Sequence, residues 1–435
     1  MIVSYLFWLL PVIQATFLRN QIDPNICNTW ETQISMCNDL FKNVIQTCYT
    51  PTSFTTWPTF LKTQSPTFIQ KKTTGPTTGP TQKKTTTTGP TAGPLKCRDP
   101  WIQPFLSTSI WNTAIGADAT FVPANIFSTR LFDKVSADIA WFVQVKDTDP
   151  VTPWYNQVSW DHAVDHCAIV NPPTIYKTIA FPANYTNNVC NNCNNCASLL
   201  QPDGQTVVQM LGLYRCTVGG PILAEPKRIT NIRTSDGMYG SHGGSDLSGI
   251  GGTIRPGELL PKTGPITHAL NLQLYAALYY YKELLPTGDL DRDSCKTWPA
   301  VRCDGYAVSD RYNGTNPALR MGALLAIPLK ISTSINSRIS SPAGKKLLYA
   351  LTYYGGYLTD DANQNVATFG VDYEAFTEFK AYYGYKFEQG YTGAPFYKDV
   401  LLLFQSLQIV TNNGPKTIGG PGLRIVKEPV LPMCA

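Results

Sequence analysis

The chain reads as a mainly β protein, with a β-sandwich or jelly-roll-like main domain, C-terminal helices, and a small disulfide-linked helical segment in front. Three observations predict this class. Short apolar or alternating runs separated by Gly, Pro and Asn clusters recur through the middle of the chain, the pattern of strands joined by turns. No strand-then-helix alternation is present and no glycine fingerprint opens a helix after a strand, which argues against a doubly wound nucleotide-binding fold. Only 15% of the residues are charged, while Tyr, Asn, Thr, Gly and Pro are plentiful, and such a composition suits pleated surfaces and turns better than helices.

Taken in order, residues 1–15 (MIVSYLFWLLPVIQA) form an apolar run of signal-peptide length ending in a small residue. A secretory signal cut after Ala15 is expected, because a membrane span takes about 20 apolar residues. Residues 16–62 are expected to hold one amphipathic helix, Pro24 to Cys48, since Ile26, Trp30, Ile34, Cys37, Phe41, Val44, Ile45 and Cys48 recur at three- and four-residue steps. Cys37 and Cys48 would lie about 16 Å apart on a straight helix. A disulfide needs Cα atoms within about 7 Å, so their partners lie elsewhere. Cys27 makes the local count odd, leaving one sulfur for the main domain or for another chain. Such a segment suits a small carbohydrate-binding or oligomerising module, or a plain disulfide-tied appendage.

Residues 63–96 repeat a TTGP-like unit with Lys pairs between. A stretch of this kind cannot bury a core and reads as an extended linker whose threonines invite O-glycosylation. The main domain is 97–435. Strands are expected at Ala119–Val122, Ala140–Val145, Cys167–Val170, Ile175–Phe181, Thr206–Tyr214, Gly252–Ile254, His268–Leu274 and Tyr357–Leu358. Helices are expected at Pro342–Tyr354, punctuated by its proline and by Gly355-Gly356, and at Tyr373–Tyr383 and Pro395–Val410.

The net charge of +5 is spread out and no basic block interleaves with aromatics, so a nucleic-acid partner is not expected. No second run is long enough to span a membrane. Twelve cysteines, an even number, fit an oxidising compartment. Cys190, Cys193 and Cys196 have thiolate-clamp spacing, but in such a chain they read as disulfide ends pairing with Cys167 and Cys216. Cys295 and Cys303 can close a short loop, and Cys434 is a further disulfide candidate. The sequons at Asn184 and Asn313 are glycosylation candidates that belong on the surface.

The stretch Ser235 to Leu274 is the densest in glycine and carries two of the four histidines, His242 and His268. Glycines let a loop wrap closely around other groups. Asp246 and Glu258 flank its turn as a carboxylate pair of the kind glycosidases use. Alternatively His268 or His166 serves as base, Arg255 or Arg320 as the neutralising cation and Tyr239 as acid, the set needed for β-elimination on a uronic acid. Each has a competing structural role, an ion pair pinning a turn for Arg255 and Glu258 and a hydrogen-bonded core ring for His268. His162 and His166, beside Asp161 and Asp165, are a weak metal pair with no third ligand in register, so no cofactor is expected. No G-x-S-x-G elbow is present, which disfavours a serine esterase of the α/β-hydrolase kind.

Ordered blocks across the main domain carry a resemblance: SIWNTAIGADATFVPAN, DHCAIVNPPTIYK, GIGGTIRPGEL, GPITHALNL, TWPA with DGYA, NPALRMGALLAIP and LLYALTYYGGYLTDD. With these the chain resembles a family of secreted, mostly bacterial proteins to which no activity attaches. The resemblance implies architecture and position, and it points to His166, Arg255, Glu258 and His268 as recurring positions. The CNNCNNC tract, the N-terminal helix and the linker depart from that pattern.

The expectation that follows is a secreted carbohydrate-active protein, a polysaccharide hydrolase or lyase with a glycine-rich cleft. The alternatives are a non-catalytic wall or matrix protein that binds polysaccharide, and a disulfide-linked adhesive protein joined through a cysteine near Cys27. The expected partner is a polysaccharide or cell-wall glycan.

Overall fold

β2 (Lys134–Gln144) is the strand on which two halves of the fold meet. The computed structural model describes residues 97–158, 165–170, 173–187, 194–308, 310–390, 394–426 and 430–434. The first half of β2, Val135 to Ala140, pairs in parallel with β11 (Ala367–Asp372), and its second half, Trp141 to Gln144, pairs in parallel with β5 (Ala197–Leu200). Its middle, Asp138 to Trp141, is buried on both faces. A strand in that position must read as a nearly continuous apolar run, and ADIAWFV does so with one exception, Asp138.

The described strands join in one large mixed sheet. On one side of β2 the path continues from β11 through β8 (Leu270–Leu274), β10 (Gly356–Asp361), β9 (Leu324–Ala326) and β13 (Gln408–Val410) to β1 (Phe121–Pro123). On the other it runs from β5 through β6 (Thr206–Tyr214), β7 (Ile222–Asn231) and β3 (Val151–Asn156) to β4 (Ile175–Ala180), with β12 (Gln389–Gly390) against β2. Helices α1 (Ala276–Tyr279), α2 (Leu329–Ile335), α3 (Pro342–Tyr353), α4 (Tyr373–Tyr383) and α5 (Pro395–Gln405), with a 3-10 turn at Asn336–Arg338, complete the described elements. The chain is therefore mainly β with C-terminal helices. Its strands form one continuous path over an apolar core that includes both Trp154 of β3 and Leu403 of α5.

Local chemistry accounts for the elements that position the site. Ser341 caps α3 by accepting from the Gly344 amide at 3.0 Å, Pro342 sits in the first turn, and Gly355 takes φ +76° just past the end. Asp372 caps α4, and Gly384 at φ +76° closes it. β6 and α4 occupy the spans the pattern predicts. The expected helix over Pro395–Val410 stops at Gln405, and the β-branched pair Ile409-Val410 instead pairs with β9 and β1. Two expected strands are absent. Cys167–Val170 is a loop held by a disulfide, and Gly252–Ile254 makes a single bridge from Ile254 to Val371.

Disulfides join Cys97 to Cys434, Cys167 to Cys216 and Cys295 to Cys303. Cys196 is a correction to the expected framework. It is a buried free thiol, because Cys167 and Cys216 satisfy each other at a Cα separation of 5.8 Å. The signal segment 1–15, the helix Pro24–Cys48 with Cys27, the linker 63–96, and His162, Cys190 and Cys193 lie outside the described residues.

Candidate functional site

β8 reads LNLQL, and alternation along a strand puts Asn271 and Gln273 on one face with the leucines on the other. Polar faces of half-buried strands ordinarily meet water. Here both residues are buried, Asn271 against His242 and Gly252 of the glycine-dense segment and Gln273 against Asp138 of β2. A covered polar face must be internally hydrogen-bonded, and this one is. Gln273 Nε2 donates to Asp138 Oδ2 at 2.6 Å, Asn271 Nδ2 lies 2.7 Å from His242 Nε2, and the Thr359 hydroxyl donates to Asn271 Oδ1. The Gly370 backbone on β11 approaches the Asn271 side chain so closely that a Cβ would collide with it.

With Nε2 of His242 taken as acceptor, its proton rests on Nδ1, which faces Asp138 Oδ2 at 3.8 Å and Cys196 Sγ at 3.9 Å. Burial pushes the His242 ring down to about 4, so it is neutral at ordinary pH, and it pushes Asp138 up to about 6. The Cys196 thiol is held well above its usual range by burial and by Asp138 and Asp360. The ligand atoms of Asp138, Cys196 and His242 all lie within 4.8 Å of one another, the metal-capable cluster among the described residues.

Next to this layer lies a group of carboxylates at the end of β10. Asp360 is buried, accepts from the Gly244 amide at 3.1 Å and from Asn194 Nδ2 at 3.0 Å, and is pushed well up by burial and by Asp304 and Asp138. Gly244 is required here, because a Cβ at that position would stand 2.7 Å from Asp360 Oδ1 and 3.1 Å from Asp304 Oδ1. The two carboxylates are therefore neighbours across one glycine. Burial raises Asp304 to about 6, while a 2.7 Å hydrogen bond from the Tyr312 hydroxyl works the other way. Asp361 is raised by burial and accepts from the Tyr306 hydroxyl at 3.2 Å.

The rim of this group reaches solvent. Tyr306 is 45% exposed, and Arg311 lies over its ring at 6.0 Å. Exposed Arg302 spans the turn, donating to the Gly243 carbonyl at 2.6 Å and pairing with Asp246 at 3.1 Å. Asp246 also faces Lys227 at 3.9 Å, and exposed Tyr239 carries Arg228 over its ring at 5.2 Å. Carboxyls with elevated proton affinity under an aromatic and cationic rim can donate a proton to a bound oxygen and hold a polar or acidic ligand.

Arg255, Glu258 and His268 come together in a different place. Glu258 Oε1 lies 2.9 Å from His268 Nε2, and its Oε2 accepts from the Arg255 amide at 2.7 Å. His268 Nδ1 lies 2.9 Å from the Ala269 carbonyl. Both ring nitrogens thus face acceptors, an arrangement that favours the doubly protonated ring. Although burial lowers its proton affinity, Glu258 and the Ala269 carbonyl raise it further, and the net shift is upward. The Arg255 guanidinium is 3.1 Å from Asp372 Oδ2 and sits over the rings of Phe142 at 3.8 Å and Trp101 at 5.0 Å. Burial raises Asp372 to about 6. Two cations and two carboxylates balance in apolar surroundings, which makes this a structural ion cluster. Its hollow, lined by Gln103, Asn112, Thr253 and His268, is only about 10 Å³, room for one water.

His166 belongs to neither group. It is buried and stacks on Tyr214 at 4.6 Å with 2° between the planes, and among the described residues neither ring nitrogen has a hydrogen-bond partner. Arg320 lies over the Tyr281 ring at 5.1 Å. Asn184 and Asn313 are exposed. Sequence reasoning found His242 and Asp246 but missed Asp138, Asp304, Asp360 and Asp361. An aspartate inside an otherwise apolar strand, as in SADIAWFV, and the pair closing YLTDD were the available signals. No family model, curated protein or solved structure matches the chain.

Proposed function

We propose that the protein is a secreted polysaccharide hydrolase in which Asp304 is the proton donor, Asp361 the second carboxylate, and Tyr306 with Arg302 the surface against which sugar lies. The observation that carries this reading is the buried Asp304 carboxyl, raised to about 6 beside Asp360 and within the field of exposed Arg302, with Tyr306 two residues on bonded to Asp361 at the surface. Hydrolysis of a glycosidic bond needs one carboxyl that keeps its proton near neutral pH and a second that is ionised or near it. A flat exposed ring suits stacking on a sugar face, and the rim cations Arg302, Arg311 and Arg228 favour a glycan with acidic groups. Elimination is the weaker reading. Its base would be His268, whose surroundings favour the doubly protonated ring, and its cation would be Arg255, which is buried against Asp372.

Secretion and glycosylation at Asn184 and Asn313 belong to the same reading, supported by the three disulfides among the described residues and by the exposure of both asparagines. The test is full-length protein incubated with a panel of neutral and acidic polysaccharides, scored for bound protein and for new reducing ends. Hydrolysis predicts product release that falls about 10²–10⁴-fold in Asp304→Asn with binding retained. Binding without product in the wild-type protein would replace the enzyme by a polysaccharide-binding wall or matrix protein. Unsaturated product would return the lyase.

A further inference from the structure

The geometry points to a buried transition-metal site of the zinc type formed by Asp138 Oδ2, Cys196 Sγ and His242 Nδ1, separate from the carboxylates assigned to hydrolysis. Tetrahedral zinc takes sulfur at about 2.3 Å and nitrogen or oxygen at about 2.0–2.2 Å, so its ligand atoms stand roughly 3.3–3.8 Å from one another. His242 Nδ1 is 3.8 Å from the oxygen and 3.9 Å from the sulfur, and all three atoms lie within 4.8 Å. Closing on an ion requires shifts of a few tenths of an ångström about His242 Nδ1 and of up to about 1 Å between the sulfur and the oxygen. The donors come from three places: Asp138 from β2, Cys196 from the residue before β5, and His242 from the glycine-dense turn. Pairing of β2 with β5, with the Trp141 amide donating to the Cys196 carbonyl at 2.8 Å, fixes two of them.

Three further observations favour a metal over a plain core contact. Cys196 is a free thiol, while the other described cysteines are paired. The supporting shell is in place as well, with Gln273 holding Asp138 and Asn271 holding His242 at Nε2. A metal on Nδ1 moves the ring proton to Nε2. A half-turn of the Asn271 amide then offers Oδ1 as acceptor while its nitrogen donates to Thr359. Finally, among the described residues buried Asp138 has no Lys or Arg within ion-pair distance, only His242, so a divalent cation supplies a counter-charge for its ionised form. One sulfur, one nitrogen and one oxygen select a borderline ion such as Zn²⁺ over Ca²⁺ or Mg²⁺. Binding balances as Zn²⁺ plus the Cys196 thiol giving the zinc thiolate and one proton released to solvent, and it replaces the present contact of the thiol with the Ser241 carbonyl at 3.4 Å. The fourth position is left to a non-protein ligand.

The test is spectroscopic and uses no substrate, so its failure is distinct from a failure of the hydrolase reading. Full-length protein is stripped with chelator and titrated with Co²⁺. The expected result is one equivalent bound, a thiolate-to-cobalt charge-transfer band, intense tetrahedral visible bands, and displacement of both by Zn²⁺. Cys196→Ser is expected to lose the charge-transfer band while keeping the wild-type circular dichroism. His242→Gln, which keeps the thiol, is expected to weaken cobalt at least tenfold. Absence of the band in the wild type, or an equal band in folded Cys196→Ser, or undiminished affinity in His242→Gln, would overturn the site.

Discussion

Burial acts on each acid and base of this protein in a direction set by its partners, and the sum is a pH dependence. Asp304 and Asp372 are both raised to about 6 in the folded chain from an ordinary 3.8. A group whose folded proton affinity is raised contributes stability that is full below the unfolded value and is lost as pH rises through the folded one. Each of these carboxyls therefore favours the folded state by roughly 3 kcal/mol more near pH 4 than above pH 6. His268 is raised too, so its contribution is full below about 6.5 and lost as pH climbs past its folded value. His242 has the opposite sign. Its folded value of about 4 removes stability as pH falls from 6.5, and Asp138, raised to about 6, offsets it. The expected outcome is a urea midpoint that rises as pH falls from about 7.5 to about 5 in chelator-treated protein. A midpoint that is flat or falls over that range would show the carboxyls to be better solvated than their burial indicates. Of these residues, sequence reasoning reached only the histidines, because an aspartate is unremarkable until strand pairing removes it from water.

Elements decide which polar residues become a site and which become a brace. The glycine-dense stretch was legible as a wrapping segment, and it meets β8 at Asn271. The polar face beneath it was hidden in the sequence, because LNLQL is equally the pattern of a strand with one side in water. Arg255, Glu258 and His268 were legible as a group, since a short turn brings Arg255 and Glu258 together. Their use was not legible, because Trp101, Phe142 and Asp372, the partners that enclose Arg255, come from three distant segments. The cluster ties the segment holding Trp101, β2 and the start of α4 into one unit. Arg255→Ala leaves Asp372 buried without its counter-charge, and the expected cost is about 3–5 kcal/mol. Thermal and urea unfolding measure it. Near wild-type stability combined with loss of catalysis would instead return Arg255 to the reaction.

Across the whole molecule, the order of strands was the least legible feature. Class and the positions of α3 and α4 follow from local pattern and punctuation, while α1 and α2 went unpredicted, and the parallel pairings of β2 with β11 and of β8 with β10 join segments far apart in sequence. The closure of the domain is of the same long-range kind. Cys97 bonds Cys434 across a sequence separation of 337, the Arg98 amide donates to the Pro432 carbonyl at 2.8 Å, and the Cys434 amide donates to the Arg98 carbonyl at 2.9 Å. Arg98 is buried, and its guanidinium also meets the carbonyls of Leu431, Gln103 and Phe105. A cross-link over so long a loop restricts the unfolded chain strongly, for about 6 kcal/mol in the chain-entropy account. The double variant Cys97→Ser, Cys434→Ser is therefore expected to unfold at lower urea by that amount. The sheet-centred site stays intact, because none of its residues belongs to the clamp. Circular dichroism and polysaccharide binding at low urea test the second part. A double variant that loses binding while still folded would mean that the clamp positions the site as well as stabilising the chain.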